Sequence, residues 1–236
     1  MDELMNITDQ SLPLFLERWY GPPTQIAEPL SVVPSFVPAA LRRWHQYANS
    51  WPDKITHANY AIPLSQLEVR DGKIEFWSEN QGCWIWSTLP GEDNPPVFDM
   101  EPGVDSAWRE TGEDLSTFLL HATVYEALTG APYSLRAERL LGGQVESVID
   151  YLSPSPFLQW RWPSPEEMLY IGTEVLVAVS PSMVDLSRDA QVSFDILVGS
   201  YAPDYLSPIR ERVDFAWTAF GETESGASCS APPPPW

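Results

Sequence analysis

The fold of the first half of this chain is decided by the stretch Asp71-Gly72-Lys73-Ile74-Glu75-Phe76-Trp77-Ser78. Asp71-Gly72 suits a two-residue type I′ turn, because aspartate tolerates a left-handed backbone and glycine has no Cβ to clash. Apolar and polar residues alternate on both sides of the turn, as in strands with one buried face. We therefore predict a β-hairpin centred on Asp71-Gly72.

A second hairpin is predicted directly after the first. The segment Glu79-Asn80-Gln81-Gly82 is turn-like, and Cys83-Trp84-Ile85-Trp86 is apolar on both faces, which favours a central strand covered from two sides. Asn94-Pro95-Pro96 then precedes a strand at Val97–Met100, and the prolines suggest that this strand lies at a sheet edge.

Helical spacing marks three other segments of the first half. Leu12, Phe15, Leu16 and Trp19 predict a helix capped by Thr8 or Asp9, and Leu41, Trp44, His45 and Ala48 predict a second helix. The third begins at the N-cap Asp114 and ends at Thr129-Gly130; we expect it to lie across the sheet with Phe118 and Tyr125 in the core.

The second half predicts further strands. The runs 168–180 and 192–200 can pair around the loop 181–191, and 212–220 is expected to be a last strand. Prolines bracket an aromatic segment, Phe157–Trp162. We expect one α+β domain over residues 1–220, with helices packed on an antiparallel or mixed β-sheet, and a disordered Ser/Gly/Pro tail over 221–236 that ends in four prolines and a tryptophan.

Charge restricts the classes of partner. With 33 acidic and 13 basic residues among 236, the chain carries a net charge of −20, which repels nucleic acids and anionic membranes and would attract a basic protein. The same charge is equally compatible with a solubility trait, so it does not identify a partner.

Targeting and redox features favour the cytoplasm. Cys83 and Cys229 give neither a disulfide framework nor the spacing of a metal site, and residues 1–6 lack the basic and apolar regions of a signal peptide. No apolar run approaches the ~18 residues of a membrane span. We expect a soluble cytoplasmic protein.

Signatures of catalysis are missing from the sequence. His45, His57 and His121 are scattered, and no nucleophile elbow, phosphate-binding glycine loop or dinucleotide fingerprint is present. Asp99, Glu101 and Asp105 could form a catalytic or cation-binding cluster, although acidic chains carry many such clusters on solvated faces. We expect no enzyme activity, no cofactor and no metal.

Aromatic residues are abundant, with 11 tryptophans. Trp84 and Trp86 are expected on one face of their strand, with Ile85 on the other. Core packing accounts for most tryptophans, but such residues also anchor protein interfaces. Aromatic anchors on an acidic chain would suit recognition of a basic protein.

Three motifs together resemble the SUKH superfamily. They are Phe76-Trp77-Ser78-Glu79-Asn80-Gln81-Gly82-Cys83-Trp84-Ile85-Trp86, then Asn94-Pro95-Pro96-Val97-Phe98, then Leu115-Ser116-Thr117-Phe118-Leu119-Leu120 leading to Tyr125-Glu126-Ala127. The resemblance covers residues 10–130 well and 131–220 only in character. Cys83 and the proline tail depart from the family pattern.

The resemblance implies a non-enzymatic protein-binding module. The family includes immunity proteins that neutralise polymorphic toxins, many of them nucleases, and fungal regulators of cell-wall assembly. An immunity protein is the first expectation, a regulatory scaffold that binds a cellular protein the second, and an enzyme with a carboxylate site the third. The motif residues Glu79, Asn80, Gln81, Gly82, Trp84 and Trp86 would be structural or partner-binding.

Overall fold

The structure is a computed structural model and describes residues 1–23, 33–51, 55–182, 192–213 and 215–221. The helices are α1 (Asp2–Met5), α2 (Ser11–Tyr20), α3 (Ala39–Ala48), α4 (Leu115–Thr129), α5 (Gly142–Ile149) and α6 (Ser207–Arg212). The strands are β1 (Asn59–Ala61), β2 (Val69–Arg70), β3 (Lys73–Glu79), β4 (Ile85–Thr88), β5 (Pro96–Glu101), β6 (Asp105–Asp114), β7 (Tyr133–Leu140), β8 (Ser153–Pro154), β9 (Met168–Ile171), β10 (Leu176–Pro181), β11 (Phe194–Ser200) and β12 (Thr218–Phe220). The predicted α+β class is confirmed.

Two antiparallel sheets organise these elements. The first has the order β1-β3-β4-β5-β6, with β2 also paired to β3, and the second has the order β12-β7-β11-β10-β9-β8. The hairpin at Asp71-Gly72 is confirmed: the φ angles of these residues are 50° and 76°, and Arg70 pairs with Lys73. The second hairpin is confirmed as well, although β4 begins only at Ile85.

The prediction that the strand after Pro95-Pro96 lies at a sheet edge is wrong. β5 lies inside the first sheet, between β4 and β6. Pro96 is its first residue, where the register shifts before Phe98, so the missing proline N–H interrupts no regular pairing. The carbonyl of Pro96 accepts the Thr88 hydroxyl at 2.9 Å, and that of Pro95 accepts the N–H of Leu115 at 2.9 Å. Both prolines therefore serve as acceptors.

Strand pairing in the second sheet matches the prediction in one place and departs from it in another. β10 and β11 pair as expected, with Val177 opposite Val198. The predicted strand at 212–220 is too long, because α6 continues to Arg212 and only Thr218–Phe220 pairs with β7. Ile209 of α6 and the flanking residues Leu206 and Val213 pack into the core of the second sheet with helical spacing, which favours a helix in this segment.

Helix α4 is buried between the two sheets. Asp114 caps it as predicted, since its Oδ1 accepts the N–H of Thr117 at 2.8 Å. Phe118 packs with tryptophans of the first sheet, and Val124 and Leu128 pack with Leu176 of the second. A helix that is apolar on every side must be covered on every side, so α4 joins the two sheets.

The two other predicted helices are also found. Phe15, Leu16 and Trp19 of α2 are buried, as are Leu41 and Trp44 of α3. The predicted cap of α2 is wrong: its N-cap is Gln10, whose side chain makes no capping bond. In the described part of the chain, no helix is long and apolar enough to cross a membrane.

Candidate binding groove

The aromatic segment, residues 157–162, crosses from the second sheet to the first. It lies between β8 and β9, yet Trp160 packs in the core of the first sheet, stacked on Phe118 of α4 at 5.0 Å between ring centroids. Phe157 stacks on His121 of the same helix at 4.5 Å. The aromatic segment therefore ties the second half of the chain to α4 and the first sheet.

The side chain of Glu113, near the end of β6, anchors the aromatic segment. Its buried carboxylate accepts the N–H of Leu158 at 3.2 Å and the indole N–H of Trp160 at 3.1 Å. Nδ1 of His121 lies 3.1 Å from the same carboxylate. All these partners belong to the chain itself, so the Glu113 carboxylate has a structural role: it fixes the position of the aromatic segment.

An ion pair with Asp99 of β5 provides a second anchor. Asp99 is buried, and its carboxylate binds both Nε and Nη2 of Arg161, the first at 3.1 Å. The Arg161 guanidinium also lies over the ring of Trp84, 5.2 Å from its centroid. A planar guanidinium can satisfy a carboxylate and an aromatic face at the same time.

The groove lies where the aromatic segment, α4 and the second sheet meet. It consists of two neighbouring cavities: a narrow part of about 80 Å³, bordered by His121, Trp160 and Trp162, and a wide part of about 580 Å³ that reaches β10 and β11. Tyr125 and Glu167 border both parts. The rings of Tyr125 and Trp162 lie 5.5 Å apart with 63° between their planes, so they form two walls of a corner.

Glu167 gives this groove its electrostatic character. Burial raises the pKa of its carboxyl to about 7, because a partly dehydrated carboxylate is disfavoured. Burial also raises the pKa of the Tyr125 phenol, and the neighbouring charge of Glu167 adds to that effect. Glu166 and Asp195 border the wide part, where Arg136 is paired with Glu138 at 3.1 Å. The groove is thus aromatic at one end and acidic along its length.

The family-motif residues Glu79–Gly82 lie in the turn between β3 and β4. The Glu79 carboxylate is buried and accepts the N–H of Gln81 at 2.9 Å and the N–H and thiol of Cys83 at 3.2 and 2.9 Å. Gly82 takes a φ of 71° and donates its N–H to the Glu79 carbonyl. Asn80 and Gln81 are exposed. Glu79 and Gly82 therefore shape the turn, and the two exposed side chains stay accessible.

Trp84 and Trp86 pack inside the molecule. They are 8% and 0% exposed and belong to the core of the first sheet. The ring of Trp86 lies 5.6 Å from that of Trp160 and 5.6 Å from that of Trp162. Trp86 therefore supports the groove from behind, and both tryptophans are buried away from the surface.

The other sequence candidates are dispersed. Asp99 is neutralised by Arg161, while Glu101 is only half-buried and pairs through its backbone with Asp105. Asp195 accepts the N–H of Arg139 at 3.0 Å. Cys229 and the proline tail lie outside the described residues.

The histidines and Cys83 show no built reactive site. Burial lowers the pKa of His45 to about 4, against the opposing effect of a hydrogen bond to the backbone of Ile62, as for a histidine at the core boundary. The pKa of the Cys83 thiol is raised, first by its hydrogen bond to Glu79. Among the described residues, no group of three or more His, Cys, Asp or Glu side chains could hold a metal ion.

Sequence reasoning missed the residues that build the groove. Glu113, His121 and Glu167 belong to no motif in the sequence. Tyr125 packs against the core of the first sheet, as predicted, and it borders the groove as well. The sequence carries a signal for Arg161: this cation lies between two tryptophans in an apolar segment, and a cation that is buried with such a segment needs an acidic partner.

No protein-family model matches this chain, no curated protein matches it, and no solved structure matches it. The SUKH resemblance therefore stays a prediction that rests on the motif residues themselves.

Proposed function

We propose that this chain is a non-enzymatic protein-binding module of the immunity type. It would neutralise a basic toxin domain, such as a nuclease, by binding it and covering its active site. The observation that carries the proposal is the groove: aromatic walls beside carboxylates, on a chain with a net charge of −20.

The proposed binding has two physical components, fast association and slow dissociation. Complementary charge accelerates the encounter with a basic partner and loses its effect at high salt. Buried aromatic contacts slow dissociation, because they exclude water over a large rigid area. The groove offers both kinds of contact in one place.

The test is co-expression with the toxin-like proteins encoded by neighbouring genes, followed by calorimetry and stopped-flow kinetics on any pair that rescues growth. The proposal predicts rescue, stoichiometric binding without turnover, and an association rate that falls steeply with salt. A screen in which no neighbour is toxic and none binds would refute it.

A regulatory scaffold that binds a cellular protein is the alternative. It would bind a partner through the same groove but would rescue no toxin. An enzyme with a carboxylate site is third, and loss of turnover on mutation of Asp99 and Glu101 in a metabolite screen would be its signature.

A further inference from the structure

The half-buried carboxylate of Glu167 differs from three buried carboxylates of the described residues, Asp99, Glu113 and Glu126. Glu113 is satisfied by three donors, as described above, and Asp99 by the Arg161 guanidinium. Glu126 of α4 accepts the backbone N–H groups of His57, Ala58 and Asn59, together with the Asn59 side-chain amide at 2.7 Å. Within the described ranges, no hydrogen bond or ion pair reaches the side chain of Glu167. The Glu167 carboxylate is half-buried at the wall of a cavity and receives no donor from the chain, so a cationic ligand in that cavity could pair with it.

The surroundings of Glu167 indicate which cation fits. Tyr125 and Trp162 supply two aromatic surfaces at the same cavity, and a cation gains by lying over such faces. A guanidinium is planar, stacks on rings and binds a carboxylate with two parallel N–H groups, whereas an ammonium is a compact, strongly hydrated charge. The chain already contains such a guanidinium site, because the guanidinium of Arg161 lies over the ring of Trp84 and binds the Asp99 carboxylate.

We propose that Tyr125, Trp162 and Glu167 form a subsite for one arginine side chain of the partner protein. The guanidinium lies in the corner of the two rings and pairs with the Glu167 carboxylate, and the following part of the basic segment runs along the wide part of the groove past Glu166. This inference rests on the proposed function, because it names the residue type by which the partner is held.

The subsite can be tested without the partner. The probe is N-acetyl-arginine methylamide, and the control ligand is the citrulline analogue, which has the same shape but no charge. The readout is the indole ¹⁵N–¹H signal of Trp162, assigned by its loss in Trp162→Phe. We expect saturable shifts with arginine, and affinity at least about tenfold weaker with citrulline.

Two matched variants of the full chain sharpen the test. Glu167→Gln keeps the shape and removes the charge, and it should fold because the half-buried Glu167 side chain makes no hydrogen bond or ion pair within the described residues. We expect it to lower the arginine affinity by about tenfold. Glu166→Gln makes the same charge change on the exposed neighbour and should alter the affinity by less than about twofold. Equal binding of arginine and citrulline, or equal losses in the two variants, would overturn the subsite.

The two proposals fail in distinguishable ways. If a partner protein binds wild type and Glu167→Gln equally, the subsite is wrong while the proposed function holds. If arginine binds as expected but no neighbouring toxin is neutralised, the immunity role is wrong and the subsite stands.

Discussion

Glu113→Gln should loosen the anchor of the aromatic segment while leaving the shape of the side chain unchanged. The carboxylate faces three groups, the N–H of Leu158, the indole N–H of Trp160 and Nδ1 of His121. A glutamine keeps one oxygen and replaces the other with an NH₂ group. If the glutamine NH₂ group faces the indole N–H of Trp160, two hydrogen-bond donors point at each other. If the amide is flipped, the NH₂ group faces the backbone N–H of Leu158 with the same result. One buried donor is left unsatisfied in either orientation.

The expected cost is about 1–3 kcal/mol, the penalty of one buried donor without an acceptor. Urea unfolding measures it as a lower midpoint at unchanged m-value, and the melting temperature of a chain of this size should fall by about 2–4 °C for each kcal/mol. Because the aromatic segment forms one wall of the groove, arginine binding should weaken as well.

The control is Glu110→Gln, which makes the same charge change on an exposed position of the same strand. It should change the free energy of unfolding by no more than about 0.5 kcal/mol. If Glu113→Gln is as stable as this control, the Glu113 carboxylate does not anchor the segment and the reasoning is refuted.

Three further predictions concern charge and backbone. The pKa of Glu167 is higher in the folded state than in the unfolded state, so its protonated form contributes stability that is present below pH ~4.5 and lost as pH rises through about 7. Glutamine does not titrate, so Glu167→Gln should gain stability relative to wild type over this pH range, by up to about 3 kcal/mol. Thermal melts of both proteins at a series of pH values measure this difference. Arg161→Met leaves the Asp99 carboxylate buried without its cation, and chemical denaturation should show a loss of about 2 kcal/mol in the free energy of unfolding. This loss is smaller than for a fully buried ion pair because the Arg161 side chain is 33% exposed, and an unchanged denaturation midpoint would contradict the prediction. Gly72→Ala places a Cβ at a φ of 76° in the first hairpin, and thermal unfolding should register a loss of about 1 kcal/mol, whereas a neutral result would show that the turn relaxes.

Local chemistry explains which parts of the fold were predictable from the sequence. The turn at Asp71-Gly72 and the cap at Asp114 each depend on a few adjacent residues whose conformations are restricted. The pairing of β10 with β11 follows from two apolar runs that are close together in the sequence. Each of these features is decided within one short segment of chain.

The groove was not predictable, because its contacts join distant parts of the chain. Trp160 and Glu113 are 47 residues apart, and Arg161 and Asp99 are 62 apart. Neither pair leaves a periodic pattern, since each depends on the aromatic segment folding back over the first sheet. The interior position of β5 was missed for a related reason: whether a proline at a strand end lies at an edge depends on which strand pairs beside it.

The family motif and the groove are physically connected, although they lie on different segments. The turn shaped by Glu79 sets the start of β4, and this strand places Trp86 against Trp160 and Trp162. Trp84, just before the strand, supports Arg161, which fixes the same segment to Asp99. A change at the motif would therefore shift the position of Trp162 in the groove. In the proposed subsite, the motif tryptophans would support the groove from behind, whereas Tyr125, Trp162 and Glu167 would make the direct contact with the arginine.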